Sequence, residues 1–257
     1  MERSEGKRVF GLDAAGYERG RPGHPERVFD VLRERCGLGP GTSVLEIGPG
    51  TGQATRRLLE LGADPLVAVE PDSALAEYLS SATDGKPRVL VATLEDAELP
   101  AANFDLAVAA SSFHWVDPER GLASVQRALR PKGWWAMWWT LFGDNTRPDP
   151  FREAIAHVVG GLTASPGGSG FSRDPEAGLT ALANAGFVSC EHEIVRWSHE
   201  WNAAGIRALF ATFSPIARLE ESRREAILDE IARVADDDFG GRVVKPVHTP
   251  LYTARRA

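Results

Sequence analysis

The chain has 257 residues, a formal net charge of -7 and only two cysteines, Cys36 and Cys190. Nucleic-acid surfaces rely on clustered Lys and Arg, so that balance argues against a general nucleic-acid partner; two cysteines are too few for a disulfide framework or a cysteine-rich metal site. The charged start, Met1 to Arg8, offers no apolar core for a signal peptide, and no run approaches the roughly 18 apolar residues of a membrane span, which predicts a soluble, cytoplasmic protein.

Phe10 to Pro25 is rich in aromatic and basic groups, with Tyr17, Arg19, Arg21 and His24. Pro25 suits the first turn of a helix that carries Val28, Phe29, Val31 and Leu32 on one face and stops at Gly37. A short apolar run, Val44 to Ile47, then meets a glycine cluster and a helical pattern from Gln53, which predicts strand, tight loop and helix. Glycines at 48, 50 and 52 leave a backbone bare of side chains, against which a ligand can lie. The dinucleotide fingerprint wants its third glycine elsewhere, and a phosphate-binding loop would end in Gly-Lys-Ser/Thr, which is missing. Nicotinamide binding and a purely structural turn stay as alternatives.

Glu46-x-Gly48-x-Gly50-x-Gly52 resembles the first motif of class I S-adenosylmethionine-dependent methyltransferases, in the small-molecule, type 11-like branch. The acidic start fits a cofactor that carries a sulfonium and an ammonium and no phosphate. The resemblance implies that Glu46, Gly48, Pro49, Gly50 and Gly52 hold S-adenosylmethionine, with S-adenosylhomocysteine as product. Upstream, Tyr17-x-x-x-Arg21-Pro22-x-x-Pro25 is similar to the lid of that branch, which implies Tyr17 near the reactive methyl, as a cofactor-binding and catalytic residue, and Arg21 facing a carboxylate of cofactor or substrate. The competing reading is a surface arm docked by Phe10 and Tyr17.

The helix from Gln53 ends near Gly62, and Pro65 to Glu70 forms a second buried strand finishing in an acid. Glu70, beside Pro71, lies 18 positions past Gly52, where a strand-end carboxylate can accept both ribose hydroxyls. Asp72 or Ser73 caps a helix bearing Leu75, Ala76, Tyr78 and Leu79. A third strand, Arg88 to Ala92, leads to Thr93, Leu94 and Glu95; the resemblance implies an acid there for the adenine amino group, Glu95, with Asp96 its rival by one position. The fourth strand, Phe104 to Ala110, empties into Ser111, Ser112, Phe113, His114 and Trp115. Open α/β sheets bind ligands at such strand ends, so Ala110 and Ser111 are expected at the cofactor and His114 and Trp115 at the substrate. His114 is either a catalytic base or a packed structural group.

A helix from Pro118 to Leu129 and a turn at Arg130 to Gly133 precede a fifth strand, Trp134 to Trp139. Alternation sends Trp134, Ala136 and Trp138 one way and Trp135, Met137 and Trp139 the other. Trp138 or Trp139 either lines a substrate pocket or belongs to the core. Beyond Gly143 the pattern predicts a helix over 149–159, a loop over 160–170, a helix over 175–185, an antiparallel strand from Phe187, helices near 203–213 and 220–235, and closing strands at Val243-Val244 and Leu251 to Thr253. Asp236 to Asp238 is expected as a solvated helix end, and no histidine has ligand spacing, so no metal is predicted.

The elements predict an α/β fold, and the resemblance implies a Rossmann-like seven-stranded sheet, mostly parallel with its last strand antiparallel, helices on both faces and an added helical lid or insert. One domain over 1–257 is expected: a cofactor-binding core at 10–140, an insert, helix and strand at 141–205, and closing helices and strands at 206–257. The activity implied is methyl transfer to O, N or C of a small molecule by a monomer or homodimer without nucleic-acid or membrane partners. Cofactor binding without transfer, and methylation of a protein, are the alternatives.

Overall fold

The computed structural model describes residues 16, 18, 20–162, 171 and 174–257. Along the chain, α1 (Glu26–Glu34) leads to β1 (Thr42–Ile47), α2 (Gln53–Glu60), β2 (Ala63–Val69), α3 (Ser73–Ala82), β3 (Arg88–Leu90) and β4 (Phe104–Ala110). A 3-10 turn at Phe113–Trp115 precedes α4 (Pro118–Ala128), β5 (Leu129–Trp138) and the two-residue β6 (Leu141–Phe142). The remainder comprises α5 (Pro150–Ala154), α6 (Ala156–Val159), α7 (Pro175–Asn184), β7 (Phe187–Trp201), α8 (Ala203–Ala211), α9 (Ser214–Ala217), α10 (Glu221–Phe239) and β8 (Val243–Arg256).

The described residues divide into two compact units. The larger draws on His24–Thr140, Gly168–Val195 and Thr249–Ala257, and the smaller on Met1–Gly23, Leu141–Gly167 and Arg196–His248. In the larger, the strand order is β3-β2-β1-β4-β5-β8, with β7 also paired to β8. β1 to β5 pair in parallel and β8 runs antiparallel to β5, from Trp134↔Arg255 to Trp138↔Leu251. This is the Rossmann-like α/β sheet implied by the resemblance, its last strand reversed; two-residue β6 makes eight strands where seven were expected.

The parallel strands form because Val44, Leu66, Leu106 and Val108 bury side chains against one helical layer, where they meet Val28, Leu32, Ala54, Leu58 and Leu79. Enclosing such an aliphatic side chain contributes about 1.5–3 kcal/mol. Alternation along β5 acts as expected: Ala136 and Trp138 join this cluster, whereas Trp135 packs on Phe113 at 5.2 Å. Asp72 caps α3 by accepting the Ala74 and Leu75 amides at 2.9 and 3.1 Å. Asp117 caps α4 through the Arg120 amide at 3.0 Å.

The expected turn at 130–133 falls inside β5: the ladder passes from Phe104↔Leu129 to Leu106↔Trp134, and the residues between bulge out.

The smaller unit has its own core, in which Phe151, Ile155, Trp201, Ile206, Phe210, Leu228, Ile231 and Val247 pack together. β6 pairs antiparallel with the start of β8 at Leu141↔His248 and Phe142↔Val247. The single helix expected over 149–159 is two short ones, α5 and α6, interrupted at Ile155. The last helix runs further than expected, to Phe239, so Asp236 to Asp238 are helical; Asp237 accepts from Arg233 at 2.9 Å one turn back. The closing strands are one continuous β8, and a short extra helix, α9, lies between the two long ones.

Candidate functional site

β1 hands the chain to α2 through residues 48–52, and all three glycines there take left-handed backbone, with φ of 62° at Gly48, 57° at Gly50 and 84° at Gly52. An L side chain in that region costs about 1–2 kcal/mol. Gly48 is also a close approach: a Cβ there would sit 2.6 Å from the Ser112 Cβ, because the Ser112 hydroxyl donates to the Ile47 carbonyl and draws the end of β4 against the loop. Gly50 differs, since a Cβ there would meet nothing among the described residues within 4 Å. Its backbone is fixed and its outer face is open, which is what a ligand lying against bare backbone requires.

Two carboxylates flank this loop. Glu46, in β1 between Ala68 and Val108, is 0% exposed, and neither of its oxygens has a hydrogen-bond partner among the described residues. Burial pushes its carboxyl up to about 7; the nearby Thr55 hydroxyl, which falls short of hydrogen-bond geometry, and the Arg56 charge draw it back, and the neighbouring charge of Glu70 adds to the rise. Glu70 follows β2 and is 4% exposed. One of its oxygens accepts the Gly50 amide at 3.1 Å and the other the Asp72 amide at 3.0 Å, which ties the glycine loop to the start of α3. Exposed Pro71 is the link between them.

After β3, which ends at Leu90, two residues earlier than expected, Leu94 is buried and Thr93 half-buried. Glu95 accepts the Asp117 amide at 3.0 Å, so it bridges this loop to the cap of α4. Its rival Asp96 is exposed and accepts the Thr93 hydroxyl at 2.8 Å.

At the ends of β4 and β5 the backbone is strained: Ser111, beside half-buried Ala110, has φ of 55°, uncommon for a residue with a side chain. It is held there by donating its amide to the Trp138 carbonyl at 2.8 Å while its hydroxyl accepts the Thr140 amide at 3.3 Å. The 3-10 turn presents His114 beside Trp115, ring centroids 4.8 Å apart. His114 Nδ1 accepts the Trp139 indole N–H at 3.3 Å.

His24 is a member of this region that sequence reasoning assigned no role. Its Nδ1 lies 3.4 Å from the Thr140 hydroxyl and its ring packs edge-on to Trp138 at 5.5 Å. Burial holds the imidazole down to about 4, so it is neutral. The separation of 116 positions from His24 to Thr140 leaves no local signal.

Arg21 belongs to the smaller unit. It donates to the Thr212 hydroxyl at 2.9 Å, and its guanidinium lies 4.8 Å from the Phe142 ring and 5.6 Å from Phe213. Tyr17 lies outside the described residues. No group of three or more His, Cys, Asp or Glu side chains suited to a metal occurs among the described residues, and none of their helices is long and apolar enough to cross a membrane.

An open, mainly parallel sheet with a bare glycine loop after β1 and an acid at the end of β2 is the plan of nucleotide-binding α/β proteins. Residues 45–137 match the methyltransferase domain family. Over 225 residues, 88% of this chain and 84% of the relative, the sequence is 36% identical to an uncharacterised methyltransferase of Mycobacterium tuberculosis. An uncharacterised methyltransferase of Schizosaccharomyces pombe is 25% identical over 231 residues, 88% of either chain. Among solved structures, a candidate type II methyltransferase from Anaeromyxobacter dehalogenans gives a TM-score of 0.61 at 23% identity, over 91% of this chain and 97% of that one. Phosphoethanolamine N-methyltransferase 2 of Haemonchus contortus, solved with phosphomonomethylethanolamine and S-adenosylhomocysteine, gives 0.58 at 14% identity over 96% of this chain, which spans 57% of that protein's length. The chain belongs to the class I S-adenosylmethionine-dependent methyltransferase family.

Proposed function

We propose that this chain binds S-adenosylmethionine along the glycine loop and transfers its methyl group to O, N or C of a small-molecule acceptor. The observation that carries the reading is Glu46: a fully enclosed carboxylate with neither oxygen hydrogen-bonded among the described residues, in the strand that leads into the glycine loop. A buried acid without a partner is unfavourable unless it stays protonated or meets a cation, and the ammonium of this cofactor is a cation of the right kind. Glu70, which accepts the Gly50 and Asp72 amides, stands at the end of β2, where an acid can accept ribose hydroxyls. Buried Leu94 supplies an apolar face for the adenine and Glu95 an acceptor for its amino group. Pro49, Ala110 and Ser111 line the same strand ends.

The cofactor brings an electrophilic methyl group on a sulfonium. What remains for the protein is alignment and exclusion of water, and the fixed backbone at Gly50 and Ser111 suits that role. A small acceptor is favoured by the net charge of -7, which opposes nucleic acid. The Haemonchus neighbour acts on an acceptor of that size.

Calorimetric titration with S-adenosylmethionine and with S-adenosylhomocysteine tests the reading. Micromolar binding is expected for the intact protein. Glu70→Ala should weaken it by about 100-fold, since a hydrogen bond to a charged group contributes about 1.5–3 kcal/mol. No binding of either molecule by the intact protein would overturn the proposal, and release of S-adenosylhomocysteine on turnover separates transfer from binding alone.

A further inference from the structure

We propose that Trp139 is a positioning residue that holds His114 as the neutral imidazole with its proton on Nε2, so that His114 serves as a hydrogen-bond donor and never as the base. The indole N–H can only donate, so the ring nitrogen it meets at 3.3 Å, Nδ1, must present its lone pair. A neutral imidazole has one lone pair and one N–H, which places the remaining proton on Nε2. Protonating Nδ1 would set two N–H groups against each other.

The donor itself is rigid. Trp139 is 2% exposed, lies parallel to Phe171 at 6.3 Å and meets the Tyr252 ring edge-on at 6.3 Å. The Tyr252 hydroxyl closes this box by donating to the Phe171 carbonyl at 2.5 Å. The Trp139 backbone amide is also fixed, on the Pro250 carbonyl at 3.2 Å. The indole therefore cannot swing away to release Nδ1 without opening a packed aromatic cluster.

The consequence for chemistry rests on the methyltransferase reading; the tautomer does not. With Nδ1 engaged and Nε2 carrying its own proton, His114 has no lone pair to take a proton from an acceptor. Neutral His24, held near 4, is too weak a base to replace it. The acceptor must then bring its lone pair ready at neutral pH, as a carboxylate or an unprotonated amine does and an aliphatic alcohol does not. That lone pair forms the new bond to the methyl carbon, and the carbon–sulfur bonding pair returns to sulfur. For an amine, the surplus proton leaves to water afterwards.

Long-range proton–nitrogen NMR of the full chain with 15N-labelled histidine, without cofactor or acceptor, decides the tautomer. The resonances lost in His114→Asn identify the ring. Nε2–H should account for more than about nine-tenths of the wild-type ring at pH 7, and Trp139→Phe should shift it to a mixture. A wild-type ring protonated on Nδ1, or one unchanged by Trp139→Phe, would overturn the assignment. If Trp139→Phe does not fold, the Trp139 indole proton is read in His114→Asn: an upfield shift supports the bond, and no shift refutes it. Cofactor binding enters none of these readouts, so its failure would sink the functional reading alone.

Discussion

Glu46 in the larger unit and Asp149 in the smaller are enclosed alike, at 0% and 1% exposure, yet their surroundings differ in kind. Asp149 gives one oxygen to the Lys245 ammonium at 2.6 Å and the other to the Arg152 amide at 3.0 Å, so it fastens β8 to the start of α5. The Lys245 ammonium also lies 5.5 Å from the Phe151 ring centroid. Glu46 has no such answer from the described residues, and it sits in the strand that leads into the glycine loop. A buried charge with a partner on each oxygen is architecture; one left without a hydrogen bond among the described residues is a candidate to meet something the chain does not itself supply.

Breaking the answered pair should have the largest effect. Lys245→Met leaves the buried Asp149 carboxyl without its cation and should lower stability by about 3–5 kcal/mol, read by urea denaturation. Burial draws the Lys245 pKa down, and the hydrogen bond and charge of Asp149 oppose that fall. Replacing both, as Lys245→Met with Asp149→Leu, should recover most of the loss, less the cap that Asp149 gives α5. A single-variant loss under about 1 kcal/mol would mean that water reaches the pair, and the contrast with Glu46 would fail.

The unanswered acid should behave oppositely, through pH. The Glu46 carboxyl is raised from its ordinary 4.5 to about 7. Below 4.5 it is protonated whether the chain is folded or not. As pH rises from there, the unfolded chain releases the proton while the folded chain keeps it, so stability falls until the folded group also ionises near 7. The total is about 3 kcal/mol, and Glu46→Gln should abolish that slope in denaturation curves taken from pH 4.5 to 8. A cation bound beside Glu46 would favour its ionised form, so S-adenosylmethionine binding at pH 6 should release close to one proton, measurable by calorimetry in buffers of differing ionisation heat. Identical slopes in variant and wild type would place a partner on Glu46.

Much of the larger unit was legible in the sequence because its signals are local. The glycine spacing, the apolar strands, the cap at Asp72 or Ser73 and the helix start at Pro118 each lie within a few residues of the feature they determine, and the structure has the strands and glycines there, with Asp72 as the cap. The smaller unit depends on distant partners. Asp149 looked like an ordinary helix start, and nothing near it pointed to Lys245, 96 residues on. β8 looked like two strands because Pro246 and Pro250 interrupt its pattern. Both prolines serve as acceptors instead, from the Gly143 amide at 3.0 Å and the Trp139 amide at 3.2 Å, so the strand continues through them. The same limit applies inside the site: His114 was singled out from its place after β4, but the indole that fixes its tautomer comes from the next strand.

The smallest effect on stability should come from Gly50, whose comparison with Gly48 separates packing from binding. Both have positive φ, so alanine at either pays about 1–2 kcal/mol in backbone strain. At Gly48 the added methyl must also displace the Ser112 Cβ from 2.6 Å, and overpacking adds about 1–3 kcal/mol. At Gly50 it meets no described residue within 4 Å, so the strain is the whole expected loss. Gly50→Ala should therefore be the milder variant in urea denaturation and yet lose at least about 10-fold in S-adenosylmethionine affinity, because its methyl stands where the ligand meets bare backbone. If Gly50→Ala binds as the wild type does, the open face at Gly50 is not where the cofactor lies, and the unanswered oxygens of Glu46 need another explanation.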